Sequence, residues 1–235
     1  MEWRVGISGW SYAPWAGRFY PKSLKRTEWL HYYAQHFNTV ELNSSFYHPP
    51  KPEQFAAWQE KVPDDFLFSV KGPRLISHLH RLHDVEGPLH DFIASITHKR
   101  KIGPVIFQLP PRFKKDLPRL EAFLDLLPTQ RRIAIEFRDP DWHDADVYAL
   151  LTRYNIAFCL YEKGAARSPR VATADFTYLR LHGREEGYRG NYSDAALRDW
   201  RDWLTARNRD AYVYFDNTAE QLYAIENARH FMGCL

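Results

Sequence analysis

Cysteine is scarce in this 235-residue chain. The two present, Cys159 and Cys234, cannot build a disulfide framework, so a reducing compartment is the expected setting. Long apolar runs are missing too: no stretch approaches the roughly 18 consecutive residues of a membrane span, and a soluble protein with no membrane partner is expected. Neither sign of charge dominates. With 32 Lys plus Arg against 29 Asp plus Glu, for a net +3, the chain is neither a polybasic tail protein nor an acidic solvating one. Met1 to Val5 run straight into a strand pattern without the basic and apolar regions of a secretory leader, which makes a cytoplasmic location the expectation. Dinucleotide, P-loop, nucleophile-elbow and H-E-x-x-H fingerprints are all lacking.

What the chain does contain is alternation. Runs of strand length recur at Arg4 to Ile7, Thr39 to Leu42, Phe66 to Val70, Val105 to Gln108, Ile133 to Phe137, Ile156 to Leu160, Tyr178 to Leu181 and Tyr212 to Phe215. Between them lie helical patterns such as Leu89/Phe92/Ile93/Ile96, Leu120/Phe123/Leu124/Leu127, Val147/Leu150/Leu151/Tyr154 and Leu197/Trp200/Trp203/Leu204. Weaker ones are Trp29/Leu30/Tyr33/Phe37, Phe55/Trp58/Val62 and Leu222/Ile225. Pro88 and Pro118 suit first helical turns, and Asp144 and Ser193 suit N-caps. Strand and helix alternating through a chain near the roughly 250 residues of that fold predict one α/β domain over residues 1–235, a (β/α)8 TIM barrel. An open doubly wound sheet is the runner-up. The stretch Glu162 to Phe176 has no helical periodicity, so the connection between strands 6 and 7 is expected to be irregular. Several strand-to-helix loops are long, which puts the elaborated face at the strand C-termini, where barrel enzymes keep their sites.

Side chains alternate faces along a strand. One set, including Val5/Ile7, Val40/Leu42, Phe66/Phe68/Val70, Ile133/Ile135/Phe137 and Val213/Phe215, is apolar and should meet the helices. The other must point into the barrel, and it turns from small or apolar to charged along each strand. Glu41, Glu136 and Asp216 meet Lys71, Arg138 and Arg180, with His182 beside them. Buried charges cost several kcal/mol each unless paired. An ion-pair network that orients strands and binds nothing is the plainer explanation; a ligand site at the barrel mouth is the sharper one, favoured because nearly every strand contributes.

Three chemistries fit these residues. Glu41 and Glu136 suit general acid and base work, or glycoside hydrolysis, although the adjacent bases argue against a high-pKa acid. Glu41, Glu136, His182 and Asp216 have the donor types of a divalent metal site, yet Lys71, Arg138 and Arg180 would repel the ion, and no metal ligand is assigned. Lys71, Arg74, Arg138 and Arg180 suit a phosphate or carboxylate, which needs the fewest assumptions. Aromatics crowd the loops: Trp10, Tyr12, Trp15, Phe19, Tyr20, Phe46, Tyr47, Trp142 and Tyr188. Interleaved with Arg and Lys they suit stacked bases or sugars, although Trp15, Phe19 and Tyr20 equally suit folding the first loop onto the barrel. His78, His80 and His83 read as loop histidines, Cys159 as core and Cys234 as an incidental thiol.

The segments Gly6-Ile7-Ser8-Gly9-Trp10-Ser11-Tyr12, Phe37 to Tyr47, Phe107-Gln108-Leu109-Pro110-Pro111, Glu136-Phe137-Arg138 with Trp142, Thr173-Ala174-Asp175-Phe176, Arg180-Leu181-His182-Gly183 and Tyr214-Phe215 resemble, in order, the motifs of the YecE-like family. The resemblance spans essentially the whole chain and implies a TIM-type barrel, catalogued as a domain of unknown function. It adds no reaction. Two positions depart from the pattern it implies: Asp139 stands where His is expected, and Asp216-Asn217 where a pair of Asn is more usual.

The sequence therefore points to an enzyme acting on an anionic, phosphorylated or nucleic-acid-like ligand, with hydrolysis the reaction class to test. The expected catalytic residues are Glu41, Glu136, His182 and Asp216. The expected binding residues are Trp10, Tyr12, Asn43, Tyr47, Lys71, Arg74, Gln108, Arg138, Trp142, Arg180 and Asn217. The alternatives are a metal-dependent hydrolase or isomerase, and a noncatalytic nucleic-acid- or partner-binding protein. The residues name no cofactor and leave the oligomeric state open.

Overall fold

Every apolar run identified above becomes a strand. The computed structural model describes residues 1–48, 50–97, 100–219 and 222–233, so Cys234 lies outside the described residues. The strands are β1 (Trp3–Ile7), β2 (Thr39–Leu42), β3 (Leu67–Lys71), β4 (Ile102–Gln108), β5 (Ile133–Glu136), β6 (Ala157–Phe158), β7 (Leu160–Lys163), β8 (Ala166–Arg167), β9 (Phe176–Leu181) and β10 (Asp210–Phe215). Parallel pairing runs from β6 through β5, β4, β3, β2, β1, β10 and β9 to β7. Because β6 and β7 are consecutive in the chain, separated only by Cys159, this order closes on itself. The Cys159 N–H donates to the Ile135 carbonyl at 2.8 Å and keeps the interrupted strand in register. The result is the (β/α)8 barrel.

The connection after the sixth barrel strand is irregular, as expected. It turns back as a hairpin, with Glu162 opposite Arg167, before the chain reaches β9. Helices α1 (Trp29–Ala34), α2 (Pro52–Glu60), α3 (Glu86–Thr97), α4 (Leu117–Asp125), α5 (Ala145–Arg153), α6 (Asp194–Arg207) and α7 (Tyr223–Met232) fill the other crossovers. Their start signals are local. Asp144 accepts from the Asp146 N–H at 2.9 Å, Asp116 from the Arg119 N–H at 3.1 Å and Ser193 from the Ala196 N–H at 3.3 Å, each satisfying a donor that the first turn leaves without a helical partner. No helix among the described residues is long and apolar enough to cross a membrane.

Strand alternation divides the core in two. Outside the cylinder Val5, Ile7, Val40, Phe68, Phe107, Ile135 and Phe215 pack against the helices. Inside it Ile106, Ala134, Cys159, Phe176, Tyr178, Tyr212 and Tyr214 form a separate cluster. This inner plug is partly polar: Thr39 Oγ1 lies 2.8 Å from the Tyr214 hydroxyl, and Ser69 Oγ 2.7 Å from that of Tyr178. It is the floor on which the charged layer rests.

Candidate functional site

Above the tyrosines, the strand ends deliver the charged side chains to one place. Glu41 from β2 is fully buried and has every oxygen engaged. Arg180 of β9 grips it bidentately, Nη2 to Oε1 at 2.7 Å and Nε to Oε2 at 3.0 Å. Ser8 donates to Oε1 at 2.8 Å and Tyr178 to Oε2 at 2.7 Å. The remaining Arg180 nitrogen, Nη1, donates to Glu136 Oε2 at 2.8 Å, while Nη2 also lies 3.4 Å from Asp216 Oδ2. One guanidinium thus bridges carboxylates from β2, β5 and the end of β10.

A second chain of contacts backs this one. Arg138 pairs through Nε with Glu136 Oε1, lies over the Tyr161 ring at 4.9 Å and donates from Nη2 to His182 Nε2 at 2.9 Å. Arginine only donates, so Nε2 accepts, and Nδ1 carries the proton it presents to Asp216 Oδ2 at 2.9 Å. Burial alone would push the Glu136 carboxyl up, but Arg138 and Arg180, with His182, hold it well below the ordinary carboxylate range. Asp216 is likewise lowered, with His182, Arg180 and Lys71 outweighing burial. Both acids are ionised acceptors.

Lys71 is different. Its Nζ donates to Gln108 Oε1 at 2.8 Å and sits 4.4 Å from the Phe46 ring centre, and no ion pair joins it to a carboxylate among the described residues. Burial, and then the Arg180 guanidinium, bring its pKa from 10.5 down to about 8. Nearby, burial and the charges of Lys71, Arg74 and Arg138 push the His78 imidazole down to about 4.

These groups face an open pocket of about 400 Å3, within the range of small-molecule sites. Asn43, Lys71, Gln108, Arg180, Asp216 and Thr218 form its polar wall, and Phe46, Tyr47, His78 and Tyr188 its aromatic one. Asn43 Oδ1 is buried with no hydrogen-bond partner within the protein. Burial and the carboxylate of Asp216 raise the Tyr12 hydroxyl well above its ordinary pKa, and that hydroxyl donates to the Ser8 carbonyl.

Of the sequence-predicted residues, Glu41, Asn43, Lys71, Gln108, Glu136, Arg138, Arg180, His182 and Asp216 converge on this mouth, and Tyr12 borders it. Glu41 and Glu136 do not line the pocket. Their oxygens accept from Arg180. Three binding residues are placed elsewhere. Trp142 is fully buried against Phe113 and Phe137 with its indole N–H on the Phe113 carbonyl. Trp10 packs edge-on against Trp58 of α2, centroids 5.0 Å apart. Asn217 donates to the Gly190 carbonyl and to Asn227 Oδ1, each at 3.0 Å, anchoring a loop. Arg74 is exposed at the rim of a neighbouring depression of about 700 Å3, and Tyr47, also exposed, lines both that depression and the mouth, as Phe46 does.

Trp15, Phe19 and Tyr20 are core residues; Tyr20 stacks on Trp29 at 4.5 Å. Asp139 caps a turn, accepting from the Asp141 N–H at 3.1 Å. Residue-by-residue reading had missed Ser8 and Tyr178 as partners of Glu41, although both have inward parity. Phe46 and Tyr188, read above as loop aromatics suited to stacking, line the pocket, as do His78, read as a loop histidine, and Thr218, for which strand parity gives no signal.

The metal alternative meets a geometric obstacle. The Arg180 guanidinium occupies the centre of the carboxylates that would have to converge on an ion, and no group of three His, Cys, Asp or Glu among the described residues is arranged to hold one.

Fold and mouth together define the class: a (β/α)8 barrel protein with a buried ion network beneath a polar pocket at the strand C-termini. The chain belongs to the family described as protein of unknown function DUF72, which it matches from residue 4 to residue 235. It is 36% identical over 140 residues to the UPF0759 protein YecE of Escherichia coli K12, a match covering 59% of this chain and 49% of that protein. The matched segment thus spans about half the length of YecE. It is 25% identical to the UPF0759 protein YunF of Bacillus subtilis over 92% of this chain and 88% of that one. The crystal structure of a DUF72 family protein from Thermotoga maritima superposes with a TM-score of 0.88 at 28% identity, over 99% of this chain and 98% of that one. One from Enterococcus faecalis gives 0.82 at 19% identity, a likeness of fold, over 99% of this chain and 95% of that one.

Proposed function

We propose that the barrel mouth binds a small anionic ligand, phosphorylated or carboxylated, and acts on it as an enzyme. One observation carries this reading. Glu41, Glu136 and Asp216 are all engaged by Arg180, Arg138 or His182, whereas Lys71 presents a positive charge to the pocket with an amide oxygen and the Phe46 ring face against it and no carboxylate paired to it among the described residues. An incoming ligand therefore meets a cation without a counter-ion, in surroundings dry enough to strengthen a charge-assisted hydrogen bond. Asp216, ionised and held by His182, is the wall residue suited to take a proton from the ligand. Glu41 and Glu136 keep the Arg180 guanidinium in place above the tyrosine floor. Pocket size favours a small molecule over a nucleic acid: of the loop aromatics, Trp15, Phe19, Tyr20 and Trp142 are buried in the core, leaving fewer rings to stack bases.

Titration calorimetry with inorganic phosphate and pyrophosphate tests the reading. The wild type is expected to bind, and Lys71→Met to bind roughly 10- to 100-fold more weakly, the loss of one charge-assisted hydrogen bond of about 1.5–3 kcal/mol. Equal affinities, or no binding by the folded wild type, would overturn it.

A further inference from the structure

Four other lysines of this chain are paired with acids. Lys61, Lys101, Lys114 and Lys115 each reach an acid: Glu28 at 3.8 Å, Asp64 at 3.3 Å, Asp139 at 3.1 Å and Asp144 at 3.0 Å. Lys71 is buried to 9% exposure at the end of a rigid strand, and its nitrogen opens on a pocket. A lysine held as a counter-charge alone needs only to be near the anion. One that donates to an amide oxygen at 2.8 Å and lies 4.4 Å from a ring face is held in place at the pocket wall, as an attacking amine must be.

We infer that Lys71 is a nucleophile that condenses with the carbonyl carbon of an anionic aldehyde, ketone or 2-oxo acid to form an imine. The inference rests on the anionic-ligand reading and names the substrate class of that site.

The step balances without a redox partner. The neutral amine's lone pair forms a bond to the carbonyl carbon, and the C=O π pair moves to oxygen, which takes up a proton. The carbinolamine nitrogen loses a proton, the hydroxyl is protonated and leaves as water with its C–O electron pair as the nitrogen lone pair forms the C=N bond, and the iminium gives up its remaining N–H proton; amine plus carbonyl gives imine plus water. Asp216 and His78 line the same pocket and are the titratable groups placed to carry the proton from nitrogen to the departing oxygen. Asn43, whose buried Oδ1 lacks a partner, and Thr218 supply polar contacts for the carbinolamine hydroxyl.

Electrostatics supports the geometry. The groups that bear on Lys71 are Arg180 of β9, which lowers its pKa, and Glu136 of β5, Glu41 of β2 and Asp216 after β10, which raise it, and burial outweighs them all. His78 faces it as a neutral imidazole near pH 7, since its own pKa lies at about 4. Phe46, with its ring face 4.4 Å from the nitrogen, favours the ammonium. With a pKa of about 8 in place of 10.5, the neutral fraction at pH 7 is roughly 300-fold larger than for an ordinary lysine.

Reductive trapping tests this on the full chain. Glyoxylate, an anionic aldehyde, is added with cyanoborohydride, with and without inorganic phosphate, and the carboxymethylated lysines are mapped by mass spectrometry. Lys71 is expected to label at least tenfold faster than the surface lysines, with a rate that levels off near pH 8 while theirs keeps rising. Phosphate is expected to slow it, and Lys71→Arg to remove the fast-labelling peptide while the surface lysines label as before. Should Lys71→Arg fail to fold, Gln108→Glu gives the amine a carboxylate partner and is expected to cut the Lys71 rate tenfold or more. Phosphate binding with Lys71 labelled no faster than surface lysines overturns the imine and leaves the anion site standing. Fast labelling that phosphate does not slow, with no phosphate bound, overturns the anion site instead.

Discussion

Arg180 and Lys71 both reach Gln108 Oε1, at 3.4 and 2.8 Å, yet they solve the burial of a cation in opposite ways. Arg180 has three carboxylates against it, which raise its pKa despite complete burial. Removing it leaves Glu41 and Glu136 charged and dry, so Arg180→Met is expected to cost about 3–5 kcal/mol. Lys71 has no such compensation. Its folded pKa lies below the unfolded value, so below about pH 8 it is charged in both states and favours unfolding. The penalty fades as pH rises toward the ordinary lysine value of about 10.4. At roughly 1.4 kcal/mol per unit, Lys71→Met is expected to stabilise the fold by about 1–3 kcal/mol at pH 7, less near pH 10, after allowing for the lost contact with Gln108. Urea unfolding of both variants checks the contrast. If Lys71→Met destabilises as Arg180→Met does, Lys71 is a structural cation and the pocket reading loses its foundation.

Between elements, the tightest constraint is where β1 meets β2. A Cβ on Gly6 would lie 2.1 Å from the Thr39 carbonyl oxygen, and that residue pairs with Gly6 in the register of the two strands. Gly6→Ala must push backbone from backbone, not a flexible side chain, and is expected to cost more than about 3 kcal/mol or to abolish folding, read by thermal denaturation. A change under about 1 kcal/mol would mean the strands can part freely. Strand identity and facing were legible in the sequence because period-two alternation makes Glu41, Lys71, Glu136, Arg180 and Asp216 share parity with interior residues such as Tyr178 and Tyr214. Caps were legible at Asp144 and Ser193 because an N-cap is a local bond. Loop residues were not. Trp10, Trp142 and Asn217 have the same composition signal as ligand-facing residues, and only tertiary contacts with Trp58, Phe113 and Asn227 turn them inward. The engagement of Glu41 was illegible for a related reason, since its partners Ser8, Tyr178 and Arg180 lie on β9 or just beyond β1.

Closure of the barrel makes the ion network a property of the whole molecule. Arg180 alone ties β2, β5, β9 and the end of β10, so losing the carboxylates loosens opposite sides of the cylinder together. Glu136 and Asp216 have folded pKa values below their unfolded ones. Their contribution is therefore fully present above the ordinary carboxylate pKa of about 4 and is lost as pH falls through the folded values. Unfolding followed by circular dichroism and by tryptophan fluorescence is expected to coincide in one acid transition below about pH 4. The slope of stability against pH is expected to be shallower in Glu136→Gln, which has one fewer group to protonate. Salt screens exposed pairs within a Debye length of about 8 Å at physiological strength but reaches buried ones weakly, so this acid limb should persist in high salt. A limb that flattens as salt rises, or a Glu136→Gln slope equal to the wild type's, would assign acid sensitivity to the surface pairs and leave the barrel mouth without a role in it.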